Sequence, residues 1–210
     1  MNIKLEQSKI NKDFKFTEVD LKGELKAHIY DDCLPLDTFK TMKRAMLNPF
    51  FAWYYNNEIV AEEDKLPSPV DGYDNTNDIC QFTHMFFNHG NYQWSNSTSI
   101  IAPILNLIAP RAWIRVKANL SPREKEHTVG GWHYDIPYNS SKIYTATNKS
   151  FKPYINSITA QLHLNTNNGY TILETGRKLE SIENRLVIFP NHVLHTGVRQ
   201  TDTKIRLVIN

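Results

Sequence analysis

His133-Tyr134-Asp135 sets an imidazole and a carboxylate two residues apart, His195 follows sixty residues after Asp135, and Arg206 comes eleven residues after His195. Two imidazoles and one carboxylate on one face of a divalent ion fill three coordination positions and leave the others open for an oxidant and a co-substrate, a donor set that suits oxygen chemistry at Fe(II). Arg206 adds a planar guanidinium able to hold a carboxylate through two parallel hydrogen bonds. The spacing of the first pair has a physical reason. In an extended chain, residues two apart project from the same face, so His133 and Asp135 converge on one ion while Tyr134 points away. That predicts a strand over 132–136, favoured by Trp132, Tyr134 and Ile136 and bounded by Gly130-Gly131 and Pro137.

Taken singly, each residue has an ordinary explanation. His133 can be a half-buried strand histidine, Asp135 a turn cap before Pro137, His195 a hydrogen-bonded core residue and Arg206 the solvated side of a last strand. As one ordered set they describe a metal site with a cation beside it. His192, three residues before His195, is the rival for the distal ligand.

The C-terminal quarter carries a resemblance. An apolar run, Leu186-Val187-Ile188-Phe189-Pro190, precedes His195-Thr196-Gly197 and then Lys204-Ile205-Arg206-Leu207-Val208. This order resembles the end of a 2-oxoglutarate/Fe(II) dioxygenase of the prolyl-hydroxylase-like superfamily, with the similarity covering 113–210. Asn168-Gly169-Tyr170-Thr171 is similar to that family's hairpin between the carboxylate-bearing and distal-histidine strands. Thr196-Gly197 after the histidine matches the family pattern and favours His195 over His192.

The resemblance implies His133, Asp135 and His195 as Fe(II) ligands and, with Arg206, as the catalytic set. Arg206 would hold the far carboxylate of 2-oxoglutarate, whose C1 carboxylate and keto oxygen chelate the iron. O2 would be the oxidant, with ascorbate as a supporting reductant. Oxidative decarboxylation to succinate and CO2 is then coupled to hydroxylation of a substrate C–H bond. The metal performs the hard step, and the protein orients, excludes water and places charge. Asn119 and Thr171 are further candidates for co-substrate contacts, with Lys117, Tyr154 and Thr159 beside them. Val208 stands where the family often has a serine two residues after the arginine, which removes one carboxylate contact. The prolyl-hydroxylase-like form of the motifs points toward a peptide or protein substrate. Two other classes remain: a cupin-like metalloenzyme or sugar-binding module without 2-oxoglutarate, and a jelly-roll interaction protein without metal.

Positioning such a site needs strands. The second half predicts seven of them, over 113–120, 132–136, 157–164, 170–174, 185–189, 195–199 and 204–209. In the first, Arg115, Lys117 and Asn119 share a face; in the third, Thr159, Gln161 and His163 do. Asn167-Asn168-Gly169 reads as a tight hairpin turn. The expected fold is mainly β with N-terminal α/β additions: a double-stranded β-helix, or cupin-like jelly roll, backed by helices. The first 110 residues read as a mixed support region and 111–210 as the core carrying the site, together one domain. Leu25, Ala27 and Ile29 alternate as in a strand, Phe39, Met42 and Met46 mark a helix stripe, and 79–87 reads as another strand. Ser99 reads as the cap of a helix carrying Ile101, Ile104, Leu105 and Ile108, with Pro103 near its first turn. A long turn-rich loop spans 62–77, the aromatic run 50–55 reads as core packing or a groove wall, and the polar segment 138–153 is a candidate lid.

Composition agrees with a compact enzyme. Of 210 residues, 40% are apolar, enough for one core. A formal charge of +2, from 24 basic and 22 acidic residues, neither requires nor excludes nucleic acid. Cys33 and Cys80 have no metal or redox spacing and predict free thiols in a reducing compartment. No signal-peptide core or bilayer-length apolar run is present, so no membrane contact and a cytoplasmic location are expected.

Overall fold

Successive strands of the second half alternate between two sheets. The computed structural model describes residues 5, 6, 9–21, 23–61, 65–75, 80–89, 93–136 and 157–210. β6 (Arg115–Pro122) lies in the larger sheet, and the segment 129–133 crosses to pair with the smaller one. β7 (Ile158–His163) returns to the larger sheet, β8 (Tyr170–Leu173) and β9 (Lys178–Glu180) lie in the smaller, β10 (Arg185–Pro190) in the larger, β11 (His195–Val198) in the smaller and β12 (Ile205–Ile209) in the larger. This winding is a double-stranded β-helix, the jelly-roll architecture.

The N-terminal half extends the larger sheet at both edges. β1 (Lys15–Asp20) and β2 (Lys26–Asp31) add beside β10, while β4 (Gln81–Asn88) and β3 (Tyr54–Asn56) add beside β6. The order is β1-β2-β10-β7-β12-β6-β4-β3, with the short β5 (Gln93–Trp94) paired to β4. Two helices, α1 (Leu36–Met46) and α2 (Thr98–Ile108), bury Phe39, Met42 and Met46, and Ile101, Ile104, Leu107 and Ile108. These join Val116, Ala118, Leu162, Leu186, Ile188, Leu207 and Ile209 in one apolar cluster. The period-2 alternation of a strand turns the intervening residues to the other face of the same sheet: Val187 and Phe189 of β10 pack there on Leu173 and Leu179, while Arg115, Lys117 and Asn119 on β6, and Arg206 on β12, look into the space between the sheets.

Several local expectations are corrected. Residues 132–136 do not form a continuous strand; the segment makes only isolated bridges, at Val129, Trp132 and His133. Asn167-Asn168-Gly169 does not close a hairpin, because β7 pairs with β10 and β12 whereas β8 pairs with β11 and β9. The turn is instead an inter-sheet crossing, in which Gly169 N donates to Asn167 Oδ1 and a Cβ at 169 would meet Val198 O at 2.9 Å. The tight hairpin of this region is β8–β9, turned at Gly176 with φ +78°. α2 begins at Thr98, not after Ser99. Ser97 occupies the cap position without a side-chain cap bond, and Pro103 falls in the second turn. The edge strand β1 and the short strands β3, β5 and β9 carry too little apolar alternation to stand out in the sequence; five of the six β1 residues are exposed. In the run 50–55, Phe51 and Trp53 pack on the core, but Phe50, Tyr54 and Tyr55 are exposed. Cys33 and Cys80 are free thiols. No described helix is long and apolar enough to cross a membrane.

His163, on the inter-sheet face of β7, is fully buried and neither ring nitrogen has a hydrogen-bond partner among the described residues. Burial, reinforced by the charges of Arg206 and Arg185, holds its pKa well below the ordinary 6.5. A folded state that keeps this ring neutral has its full stability above the unfolded pKa and loses it as pH falls below that value. His163→Leu is therefore expected to flatten the acid limb of the stability-against-pH curve and to raise stability near neutrality by about 1 kcal/mol. Urea denaturation across pH 4–8 checks it; an unchanged acid limb would count against the buried neutral imidazole.

Candidate metal centre

The ligand segment lies antiparallel to β11 with one residue to spare. Val129 opposes Val198 and His133 opposes His195, so the segment uses four steps where β11 uses three. The extra residue falls at Gly130-Gly131, a bulge that interrupts the ladder and explains the missing strand. Space at Gly131 is tight, since a Cβ there would come within 3.1 Å of Lys65 Cγ and 3.2 Å of Val60 Cβ and those side chains would have to give way. Trp132 points away from the site, is fully buried, and donates from Nε1 to Tyr73 O at 2.8 Å. The loop after residue 65 thereby packs over the ligand segment, with Leu66 N bonded to Trp132 O at 2.9 Å.

His133 and His195 exchange both backbone hydrogen bonds, at 3.0 and 3.2 Å, and their ring centroids lie 4.8 Å apart. Each Nδ1 faces a backbone carbonyl, Gly131 O at 2.9 Å and Val193 O at 3.1 Å. A carbonyl only accepts, so Nδ1 carries the proton and Nε2 of each ring is left as a free donor to metal. Asp135 completes the group, and one ligand atom from each of the three residues lies within 4.8 Å of the others. Its Oδ1 accepts from Arg115 Nη2 at 2.6 Å and Asn210 Nδ2 at 2.8 Å. Its Oδ2 is buried without a hydrogen-bond partner, 3.5 Å from His195 Nε2. Two bare imidazole nitrogens and one orphaned carboxylate oxygen converging on a point are what a divalent ion requires, so the residues fit the group. Burial pushes the Asp135 carboxyl up, but His195, Arg115 and His133 outweigh it and hold the group well below the usual carboxylate range. Burial, with His195 adjacent, pushes His133 down to about 4, so the ring is neutral at pH 7. His192 lies outside this group.

The triad opens onto a cavity of about 190 Å³. Arg206 lines it, donating from Nε to Ser181 Oγ at 2.9 Å and from Nη2 to Thr171 Oγ1 at 3.1 Å. Both partners are neutral, and no carboxylate among the described residues pairs with it. Burial, with Arg199 nearby, pushes the guanidinium down to about 10. Thr171 Oγ1 also meets Gln161 Oε1 at 3.0 Å, which fixes the hydroxyl at the arginine.

The other candidates divide. Asn119 lines the cavity but spends Nδ2 on Asn210 Oδ1 at 2.8 Å. Thr159 is buried against Asn191 and does not line the cavity, while Lys117 does. Tyr154 and the candidate lid 138–153 lie outside the described residues. Sequence reading missed three contributors: Arg115 and Asn210 on Asp135, and Ser181 on Arg206. The alternation of β6 carried a signal for Arg115, which shares a face with Asn119. Ser181, just beyond β9, had none, because only folding brings it to β12.

Arg115→Met is expected to weaken Co(II) affinity about 10- to 100-fold by freeing the Asp135 carboxylate to rotate. His195→Ala should abolish Co(II) binding and His192→Ala should leave it intact, both read from the visible d–d bands on titration. Loss in the His192 variant alone would identify His192, not His195, as the distal ligand.

No protein-family model matches the chain, and no curated protein does. Among solved structures, it is similar to an oxidoreductase of the 2OG-Fe(II) oxygenase family from Burkholderia pseudomallei, at a TM-score of 0.44 and 12% sequence identity, over 65% of this chain and 67% of that one.

Proposed function

We propose that this chain is a 2-oxoglutarate- and Fe(II)-dependent dioxygenase that hydroxylates a C–H bond of its substrate and releases succinate and CO2. The observation that carries the reading is Arg206, a cation enclosed with only neutral hydroxyl partners, facing the same cavity as a two-histidine, one-carboxylate group. A half-buried cation with no counter-ion is under-compensated, and a ligand carboxylate would supply the missing charge. A metal module or sugar-binding protein without a dicarboxylate gives that guanidinium no anion to meet.

His133, Asp135 and His195 would hold the iron, which when bound supplies dioxygen activation at its open positions. Every other part falls to the chain itself. Gly131 O and Val193 O fix the imidazole tautomers, and Arg115 and Asn210 tie down Oδ1, which would leave Oδ2 of Asp135 for the metal. Arg206, steadied by Ser181 and Thr171, would take the C5 carboxylate of 2-oxoglutarate, and Asn119 is a candidate for a further co-substrate contact. In place of the missing serine two residues after Arg206, Ser181 and Thr171, which meet the guanidinium, would be the hydroxyls available near that carboxylate. For the substrate, a peptide or protein side chain fits the prolyl-hydroxylase-like motifs.

Purified protein with Fe(II), ascorbate and 2-oxoglutarate is expected to release succinate slowly without any primary substrate. Arg206→Met should raise the 2-oxoglutarate KM by roughly 10- to 100-fold, the loss of a charge-assisted pair, and Arg206→Lys should recover part of it. Metal binding with no 2-oxoglutarate affinity would sink the dioxygenase reading.

A further inference from the structure

We propose that the primary substrate presents an anionic group, a carboxylate or a phosphate, to Lys117 at the end of the cavity remote from Arg206; this rests on the dioxygenase reading above.

The cavity is lined by four cationic side chains, Arg115, Lys117, Arg199 and Arg206, and among the described lining residues by one carboxylate side chain, Asp135. Ferrous iron and 2-oxoglutarate carry equal and opposite charge, so loading the site does not reduce that excess. Three of the cations have partners: Arg115 is on Asp135, Arg199 donates to Cys80 O and Pro122 O, and Arg206 would meet the co-substrate. Lys117 has no ion pair or side-chain hydrogen bond among the described residues.

Strand register separates Lys117 from the Arg206 end. Arg206 lies opposite Ser121, whereas Lys117 exchanges backbone hydrogen bonds with Asn210. Four residues along β6 is roughly 13 Å. Lys117 is instead beside the triad: Asn210 also holds Asp135, and Arg115, two residues from Lys117 on the same face, does too. Burial, with Arg115 adjacent, pushes its ammonium down to about 8, so the group is still charged at pH 7 and is crowded by a like charge. A second anion beside the metal, distinct from the C5 carboxylate, answers both features. An acidic peptide side chain would qualify, as would a phosphorylated metabolite.

Calorimetric titration of the Co(II)- and 2-oxoglutarate-loaded protein with methylphosphonate and, separately, with acetate tests the proposal. At least one anion is expected to bind saturably. Lys117→Met should weaken that binding at least about tenfold, well beyond any change in 2-oxoglutarate affinity, while Lys117→Arg retains most of it. Tighter methylphosphonate names a phosphate group, and tighter acetate a carboxylate. Failure of both anions to bind a wild-type protein that takes Co(II) and 2-oxoglutarate overturns the proposal and leaves the dioxygenase reading standing. Anion binding unchanged in Lys117→Met overturns it too. An equal loss of 2-oxoglutarate affinity in that variant would assign Lys117 to the co-substrate. A wild-type protein that takes no Co(II) or 2-oxoglutarate brings down both.

Discussion

Two backbone hydrogen bonds between His133 and His195 hold the candidate site together. They make an antiparallel bridge of two residues sixty-odd positions apart, and side chains of directly opposed residues lie on the same face of such a pair. The two imidazoles are then locked in the same way, each donating Nδ1–H to the carbonyl two residues before it. The bulge at Gly130-Gly131 sets the register of that bridge. A slip of one residue would turn His133 to the side that Trp132 now occupies. The buried indole of Trp132, anchored on Tyr73 O, opposes such a slip, because exposing it would forfeit a large apolar burial.

The third ligand ties the two sheets to each other. Asp135 follows directly on the segment that pairs with the smaller sheet, yet its Oδ1 is held by Arg115 of β6 and by Asn210 just beyond β12, both on the larger one. Arg206 repeats the arrangement in reverse, rising from the larger sheet to Thr171 of β8 and to Ser181 just past β9. Polar side chains between sheets are costly unless each finds a partner, and here nearly all do so across the gap. Besides the buried ring of His163, the exceptions include Asp135 Oδ2 and Asn119 Oδ1, both on residues that line the cavity. The helices pack on the opposite face of the larger sheet, and a second apolar cluster around Val187, Phe189, Leu173 and Leu179 flanks the polar cavity between the sheets.

Much of this was legible along the chain. Short apolar runs located every strand of the larger sheet's centre, because β6, β7 and β12 bury one face on the helix side and β10, apolar throughout, buries both. The helix stripe at Phe39, Met42 and Met46 was equally plain. Edge strands were not, since β1 has water on most of its surface and needs no apolar alternation. The Asn167-Asn168-Gly169 turn misled for a different reason. Its local chemistry is that of a chain reversal, but which sheet the chain enters next depends on partners supplied by β11 and β9.

Sequence by itself determined the chemistry available here: two imidazoles, a carboxylate and a guanidinium in an order that suits a metal and a dicarboxylate, carried on strands whose alternation gives each a defined side. Tertiary structure decided which atoms remain free to act. It set His195, and not His192, opposite His133, left Oδ2 of Asp135 bare by covering Oδ1, and gave Arg206 hydroxyl partners instead of an acid. Those outcomes depend on partners 20 to 75 residues away, and no local pattern encodes a hydrogen bond whose two ends meet only when the sheets close on each other.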